Sequence, residues 1–144
     1  MPKAYGVQFG NPANYPYLSV CSTGTHDTST IRGWWKESEE NSQRYYNNVC
    51  GFEGTAPSDC EPFICEKIVT DHICGNSMAV ILPLQDWLST DGRIRAEDAD
   101  SERINIPSNP RHYWRYRMHL SVEKLLGEKE FNEKTRTLLS KGKK

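Results

Sequence analysis

Met78-Ala-Val-Ile-Leu-Pro-Leu84 is the one nearly continuous apolar run in the 144 residues, and it restricts the fold more than any other feature. A strand with one wet face alternates apolar and polar side chains. This run does not alternate, which is the pattern of a strand buried on both faces of a parallel sheet. The other strand-like stretch, Tyr17-Leu-Ser-Val-Cys21, is short and lies far upstream, with helical sequence between the two. Strand, long helical excursion and parallel strand make the grammar of a β/α protein, in which polar side chains collect at the carboxyl ends of the strands. Two strands are too few: a parallel pair by itself exposes both edges and most of its apolar faces. The fold class expected is therefore α/β, incomplete as a stand-alone domain.

Local signals divide the rest of the chain. Up to Pro16 it is rich in Gly, Asn and Pro and reads as an extended loop. Ser22-Thr-Gly-Thr-His-Asp-Thr-Ser-Thr30 is a polar loop without periodicity. Ile31, Trp34 and Trp35 then mark one face of a helix, and a second helical run from about Glu37 to Asn48 has Tyr45, Tyr46 and Val49 as its apolar side. Ser58 to Glu61 reads as a capping box before a helix carrying Ile64, Cys65, Ile68, Val69 and His72, with Pro62 in its first turn and Gly75-Asn76 as its stop. From Asp98 to Pro110 the chain is loop-like. Arg111 to Leu120 is dense in bases and rings, and a helical tail from Ser121 closes with Lys141-Gly-Lys-Lys144, expected to fray.

Charge and composition exclude several classes. Lys and Arg number 18 against 19 Asp and Glu, a net charge of −1 that argues against a general nucleic-acid binder. The mean hydropathy of −0.74 and a hydrophobic fraction of 36% are low for a self-sufficient core, yet 4 Trp, 7 Tyr and 4 Phe exclude disorder throughout. A folded piece whose aromatic surface meets a ligand or more protein fits both facts. No apolar run is long enough to span a membrane, and the first residues lack the apolar stretch and cleavage site of a signal peptide. The 5 cysteines are an odd count without framework spacing, so reduced thiols in a cytoplasmic protein are expected. Cys60, Cys65, His72 and Cys74 match no zinc spacing, and no metal site is expected; buried thiols on a helix and a packing histidine are the simpler account.

Three groups of residues could carry chemistry. His26 and Asp27 stand between a strand and a helix, where a carboxylate is held ionised by free amides and an imidazole can donate to a hydroxyl. Asp27 could equally be a simple N-cap. The second group runs from Arg103 through Asn105 to Arg117. Its guanidinium and amide groups beside aromatic rings suit single-stranded nucleic acid or carbohydrate, or a packed element with its bases outward. Asp98, Asp100 and Glu102 immediately upstream disfavour a phosphate backbone. In the third group, Gln85 and Asp86 could bind a sugar, cap a helix or pair with an Arg, and a structural pairing is favoured. At least one of Trp34 and Trp35 is expected to pack. No Ser-His-Asp arrangement, phosphate loop or HExxH motif is present.

Taken in order, the loop from Ser22 through Trp-Trp35, the run Met78 to Asp86, Glu102-Arg-Ile-Asn-Ile-Pro107 and Asn109-Pro-Arg-His-Tyr-Trp-Arg-Tyr-Arg-Met-His119 resemble the C-terminal part of amylomaltase. This is the 4-α-glucanotransferase, or disproportionating enzyme, of glycoside hydrolase family 77, and the likeness is greater to its large plant-cytosolic and bacterial branch. The resemblance covers about Pro2 to Leu120. It implies the last two strands, with their helices, of a (β/α)8 TIM barrel in residues 1–120, followed by a helical tail in 121–144. It also implies a retaining transfer of α-1,4-glucan segments, through a nucleophile and an acid/base carboxyl about 5–5.5 Å apart, without a cofactor. Asp27 matches the family's third essential carboxylate and His26 the hydroxyl donor before it. Asn105 matches a substrate-contacting position and Arg103 its support.

The family's nucleophile and acid/base lie upstream of the strand ending at Cys21, in segments outside this sequence, and Met1-Pro-Lys resembles an internal stretch. The 144 residues alone are therefore expected to be inactive, as a C-terminal fragment of a transferase acting on α-1,4-glucan or maltooligosaccharide. The alternatives are a non-catalytic glucan-binding remnant, or one half of a split enzyme completed by an upstream barrel segment. A nucleic-acid module on the Arg/Tyr/Trp stretch is disfavoured by the balanced charge.

Overall fold

A computed structural model describes residues 7–142. After a 3-10 turn at Pro12–Asn14 come strand β1 (Val20–Cys21), helices α1 (Ile31–Glu37), α2 (Glu39–Asn48) and α3 (Pro62–Ile73), and strand β2 (Ala79–Val80). Helix α4 (Leu84–Leu88), a second 3-10 turn (Ala99–Glu102), α5 (Val122–Gly127) and α6 (Lys129–Lys141) complete the order. The strands are parallel, with Val20 opposite Ala79 and Cys21 opposite Val80. The protein is thus mostly helical around a short parallel pair, in the expected order of strand, helical excursion and strand.

The strand itself departs from expectation. The Met78–Leu84 run is not buried on both faces: only Ala79 and Val80 pair, Met78 and Ile81 are 59% and 65% exposed, and Leu84 already opens α4 behind Pro83. The reason is coverage. Among the described residues β1 is the one strand beside β2, so nothing lies over the outer side of the run. Tyr17, Leu18 and Val20 are exposed beside it for the same cause.

The helices start where local chemistry allows. Thr30 caps α1 by accepting from the Gly33 amide at 3.2 Å, and Ser38 ends α1 and caps α2, whose first turn carries Glu39 and Glu40 toward the positive end of the dipole. The Ser58–Glu61 capping box does not form. Helix α3 begins at Pro62 with Glu61 as a cap that makes no side-chain bond, because the Glu61 carboxylate turns to Arg95 at 3.6 Å while Arg95 donates to the Cys60 carbonyl at 2.9 Å. Gly75 does stop α3, though by close approach rather than by a left-handed turn. A Cβ there would lie 2.9 Å from Pro12 Cβ and 3.0 Å from the His72 carbonyl oxygen, so only glycine lets the first 3-10 turn pack on the end of the helix.

Two apolar clusters hold the elements. The larger gathers Ile31, Trp35, Tyr46, Ile64, Val69 and Leu138, so α6 contributes to the core formed by α1, α2 and α3. The smaller joins Leu88, Ile94, Leu120 and Phe131. The helical stretch after Ser121 is therefore packed against the rest through Phe131 and Leu138, each contributing on the order of 2 kcal/mol by apolar burial. Its final Lys143 and Lys144 lie outside the described residues, as do Met1 to Gly6 of the N-terminal loop. Trp35 is fully buried with its indole donating to the Pro57 carbonyl at 2.8 Å, and Trp34 packs edge-on against Phe9 and Tyr45.

The thiols are unpaired: Cys21, Cys50, Cys60 and Cys65 are buried and Cys74 is exposed. Burial pushes the Cys50 thiol up to about 11 and the Cys60 thiol well above its ordinary range, which suppresses the thiolate a metal or an electrophile would need. Among the described residues no group of three His, Cys, Asp or Glu side chains could hold a metal ion. His72 is a packing histidine: its Nδ1 lies 2.8 Å from the Ile68 carbonyl, and burial lowers its pKa.

Candidate functional site

The loop after β1 rests on a buried polar layer. Asp86, in the first turn of α4, is fully buried; its Oδ1 accepts from the Ile31 amide at 2.9 Å and its Oδ2 from the Thr23 hydroxyl. One carboxylate therefore ties the start of the loop to the start of α1, and burial pushes its pKa up to about 6 despite both hydrogen bonds. Beside it Arg32 and Glu102 form a buried ion pair at 2.6 Å. Arg32 also donates to the Ala96 carbonyl at 2.7 Å, Thr30 donates to Glu102 at 3.0 Å, and Gln85 donates to the Glu102 carbonyl at 3.1 Å. These contacts fasten the segment ending at Glu102 onto α1 and α4.

The residues just after Glu102 are thereby delivered to the loop. The Asn105 amide donates to the His26 carbonyl at 3.1 Å, and its side-chain Nδ2 donates to Asp27 Oδ1 at 2.7 Å. His26 Nε2 stands 3.4 Å from the same oxygen. Arg103 braces the arrangement, donating through Nε to the Asn105 carbonyl at 3.0 Å and through Nη1 to Ser29 Oγ at 2.9 Å. Ser29 in turn donates to Glu37 at the end of α1. Within the loop, Thr28 Oγ1 takes the Thr25 amide at 2.8 Å and closes a tight turn that presents His26 and Asp27 outward.

The side chains of His26 and Asp27 are half exposed, at 52% and 51%. Among the described residues no protein donor reaches Asp27 Oδ2. A cleft of about 330 Å³ opens here, beyond the carboxyl ends of both strands; Ser22, Thr25, His26, Leu82, Gln85 and Ile104 are on its wall. A carboxylate with one oxygen held and one open, an imidazole beside it and a cleft alongside form a constellation that can exchange hydrogen bonds with a polyhydroxylated ligand.

All four candidate residues, His26, Asp27, Arg103 and Asn105, thus come together at one place. Asp27 is not the N-cap of α1, since Thr30 takes that role. Gln85 and Asp86 serve structure, as favoured, although the partner of Asp86 is the amide end of α1 and not an arginine. Two contributors went unrecognised in the sequence: Arg32, which pairs with Glu102 across 70 positions, and Glu37, which anchors Ser29. Of the two, only Arg32 carried a signal, as a charge set between Ile31 and Trp35, which are core. Trp114, inside the Arg103 to Arg117 group of bases and rings, lays its ring against His26 with centroids 4.9 Å apart.

Comparison with known proteins bears on the chain as a whole. The family model of glycoside hydrolase 77, described as 4-alpha-glucanotransferase, matches residues 1–122. The 4-alpha-glucanotransferase DPE2 of Oryza sativa subsp. japonica is 38% identical over 140 residues, covering 97% of this chain and 15% of that protein. The chloroplastic/amyloplastic 4-alpha-glucanotransferase of Solanum tuberosum is 28% identical over 125 residues, 79% of this chain and 19% of that one. Among solved structures, the amylomaltase of Streptococcus agalactiae in complex with acarbose superposes with a TM-score of 0.62 at 26% identity, over 92% of this chain and 24% of that one. The chain spans between 15% and 24% of the length of these relatives.

Proposed function

The chain belongs to the 4-alpha-glucanotransferase family, glycoside hydrolase 77, and on that premise we propose that it forms the sugar-holding side of a retaining α-1,4-glucan transferase. Residues 1–120 supply the last two strands of the catalytic barrel, with 121–144 as a helical tail. Asp27 is the carboxylate that holds the donor sugar through its hydroxyls and steadies positive charge as the glycosidic bond breaks. His26 donates to a hydroxyl of the same sugar. Asn105 contacts the substrate, and Arg103 keeps Asn105 in place. The observation that supports this reading best is the meeting of Asn105 Nδ2 and His26 Nε2 at one oxygen of Asp27, at 2.7 and 3.4 Å, with no described protein donor at the other oxygen.

The same reading assigns no transfer activity to these residues alone. A double displacement needs a nucleophile and an acid/base carboxyl about 5–5.5 Å apart across the scissile bond. Glu102, the carboxylate on the cleft wall, is locked to Arg32 and Thr30 and cannot attack. Those two carboxyls belong to a part of the enzyme outside this chain, and hydroxyl-binding groups cannot take over their roles.

The test is maltotriose disproportionation, followed by glucose release. The 144-residue chain is expected to release none. A chimera carrying residues 7–120 in place of the matching stretch of the rice enzyme is expected to work, and to lose at least ~10³-fold in kcat on Asp27→Asn. A chimera indifferent to that change would remove Asp27 from the catalytic set.

A further inference from the structure

We propose that Trp114 is a sugar-stacking residue, whose indole takes the apolar face of a glucose unit next to the one that His26 and Asp27 hold. This rests on the glucan-binding reading above and extends it to a residue and a second subsite. Trp114 is 60% exposed, the largest side chain among the described residues to be so, although burying its ring would be strongly favourable. Its ring centroid lies 4.9 Å from that of His26 at a tilt of 47°, and His26 Nε2 lies 3.4 Å from Asp27 Oδ1. Indole, imidazole and carboxylate therefore stand one after another along the site.

The ring is held at its post although residues 112–118 have no regular structure. On one side His112 Nε2 sits 2.9 Å from the Ile104 carbonyl, next to Asn105; on the other His119 Nε2 sits 2.6 Å from the Ile94 carbonyl and Leu120 enters the smaller core. Among the described residues, the Trp114 indole N–H makes no hydrogen bond, so it too can donate to a ligand hydroxyl. Its neighbour Tyr113 differs: the Arg115 guanidinium covers one face of that ring at 5.0 Å. Trp34 and Trp35 are committed to packing. Trp114 thus combines an open aromatic face, an unused donor and contact with the carboxylate-bearing loop. A glucan chain offers the matching surfaces, with C–H faces on its rings and hydroxyls at their rims.

The experiment titrates the 144-residue chain with maltoheptaose and monitors the indole N–H resonances by NMR, with Trp114 assigned from its loss in Trp114→Phe. Expected are a shift of the Trp114 signal on titration, about tenfold weaker binding in Trp114→Ala, and binding within about threefold of the parent in Trp114→Phe, which keeps a flat face. The other three indole signals report whether each variant is folded; should Trp114→Ala unfold, the Trp114 resonance and Trp114→Phe decide. If maltoheptaose binds and Asp27→Asn weakens it, while the Trp114 signal stays still and Trp114→Ala binds as the parent does, the stacking role is overturned and the glucan reading stands. If maltoheptaose does not bind at all, both fall.

Discussion

Acidic side chains brought in beneath the loop after β1 and the one acid on the loop itself have opposite fates. Below the loop, Asp86 and Glu102 are buried and every oxygen that matters is taken, by the Ile31 amide, Thr23, Thr30 and Arg32. Above it, Asp27 is half exposed with one oxygen held by Asn105 and the other open. The chemistry of the group is the same in each case; water and partners differ. Buried and satisfied, a carboxylate becomes a fastener that fixes backbone. Half exposed and partly satisfied, it becomes a group a ligand can use. The lower set also explains how the upper is positioned: Glu102 is pinned, so Arg103 and Asn105 emerge at the right place.

The contrast can be broken most severely at the ion pair. Glu102→Ala leaves Arg32 buried with only backbone carbonyls and no counter-charge, and is expected to cost about 3–5 kcal/mol in urea unfolding. A loss below about 1 kcal/mol would mean that the pair does not fasten the segment. Replacing both partners with apolar residues of similar size is expected to cost much less than either single change, which separates the unpaired charge from the value of the pair itself.

Asp86 sharpens the comparison through pH. Its folded pKa of about 6 lies above the ordinary 3.8, so the folded state binds the proton more tightly than the unfolded chain. That contribution is complete below pH 3.8 and is lost as pH rises through about 6. From this group alone, stability falls by about 3 kcal/mol between those limits and is level above them. Asp86→Asn can still accept from the Ile31 amide and donate to Thr23, and it carries no charge to desolvate. It is expected to flatten that slope, with thermal unfolding at about pH 4 and about pH 7 as the measurement. A slope unchanged in the variant would assign the pH dependence to other groups.

The smallest effect on stability is expected at Asp27. Asp27→Asn should stay within about 0.5 kcal/mol of the parent, because the side chain is half exposed and fastens little, while glucan binding is lost. A variant that unfolded readily would move Asp27 into the structural set.

Much of this organisation is legible from local sequence. The helical face of Ile31, Trp34 and Trp35, the apolar spacing of α3 and the helical run after Ser121 are set by side chains three or four apart. The loop and the Arg103–Asn105 stretch stand out as chemistry-bearing segments, because polar residues without periodicity seldom build a core. The doubly buried strand expected over Met78–Leu84 overreaches: an apolar run states what a segment would bury and is silent on whether a covering layer is present. The capping box at Ser58 misleads because Arg95, 34 positions beyond Glu61, takes that carboxylate and the Cys60 carbonyl as well.

By itself, then, the sequence determined α1, α2, α3 and the helical run after Ser121, though not α4, and the parallel sense of the two strands, since a long helical excursion between strands returns the chain to the same end of a sheet. It also determined which short segments carry polar chemistry. Only the tertiary structure decided which acid is a fastener and which stays open to solvent. Asp86 finds its partners 55 and 63 positions away, Glu102 finds Arg32 across 70, and Asp27 meets Asn105 across 78. Whether a carboxylate loses its water depends on what the folded chain places around it, and neighbours in sequence do not carry that information.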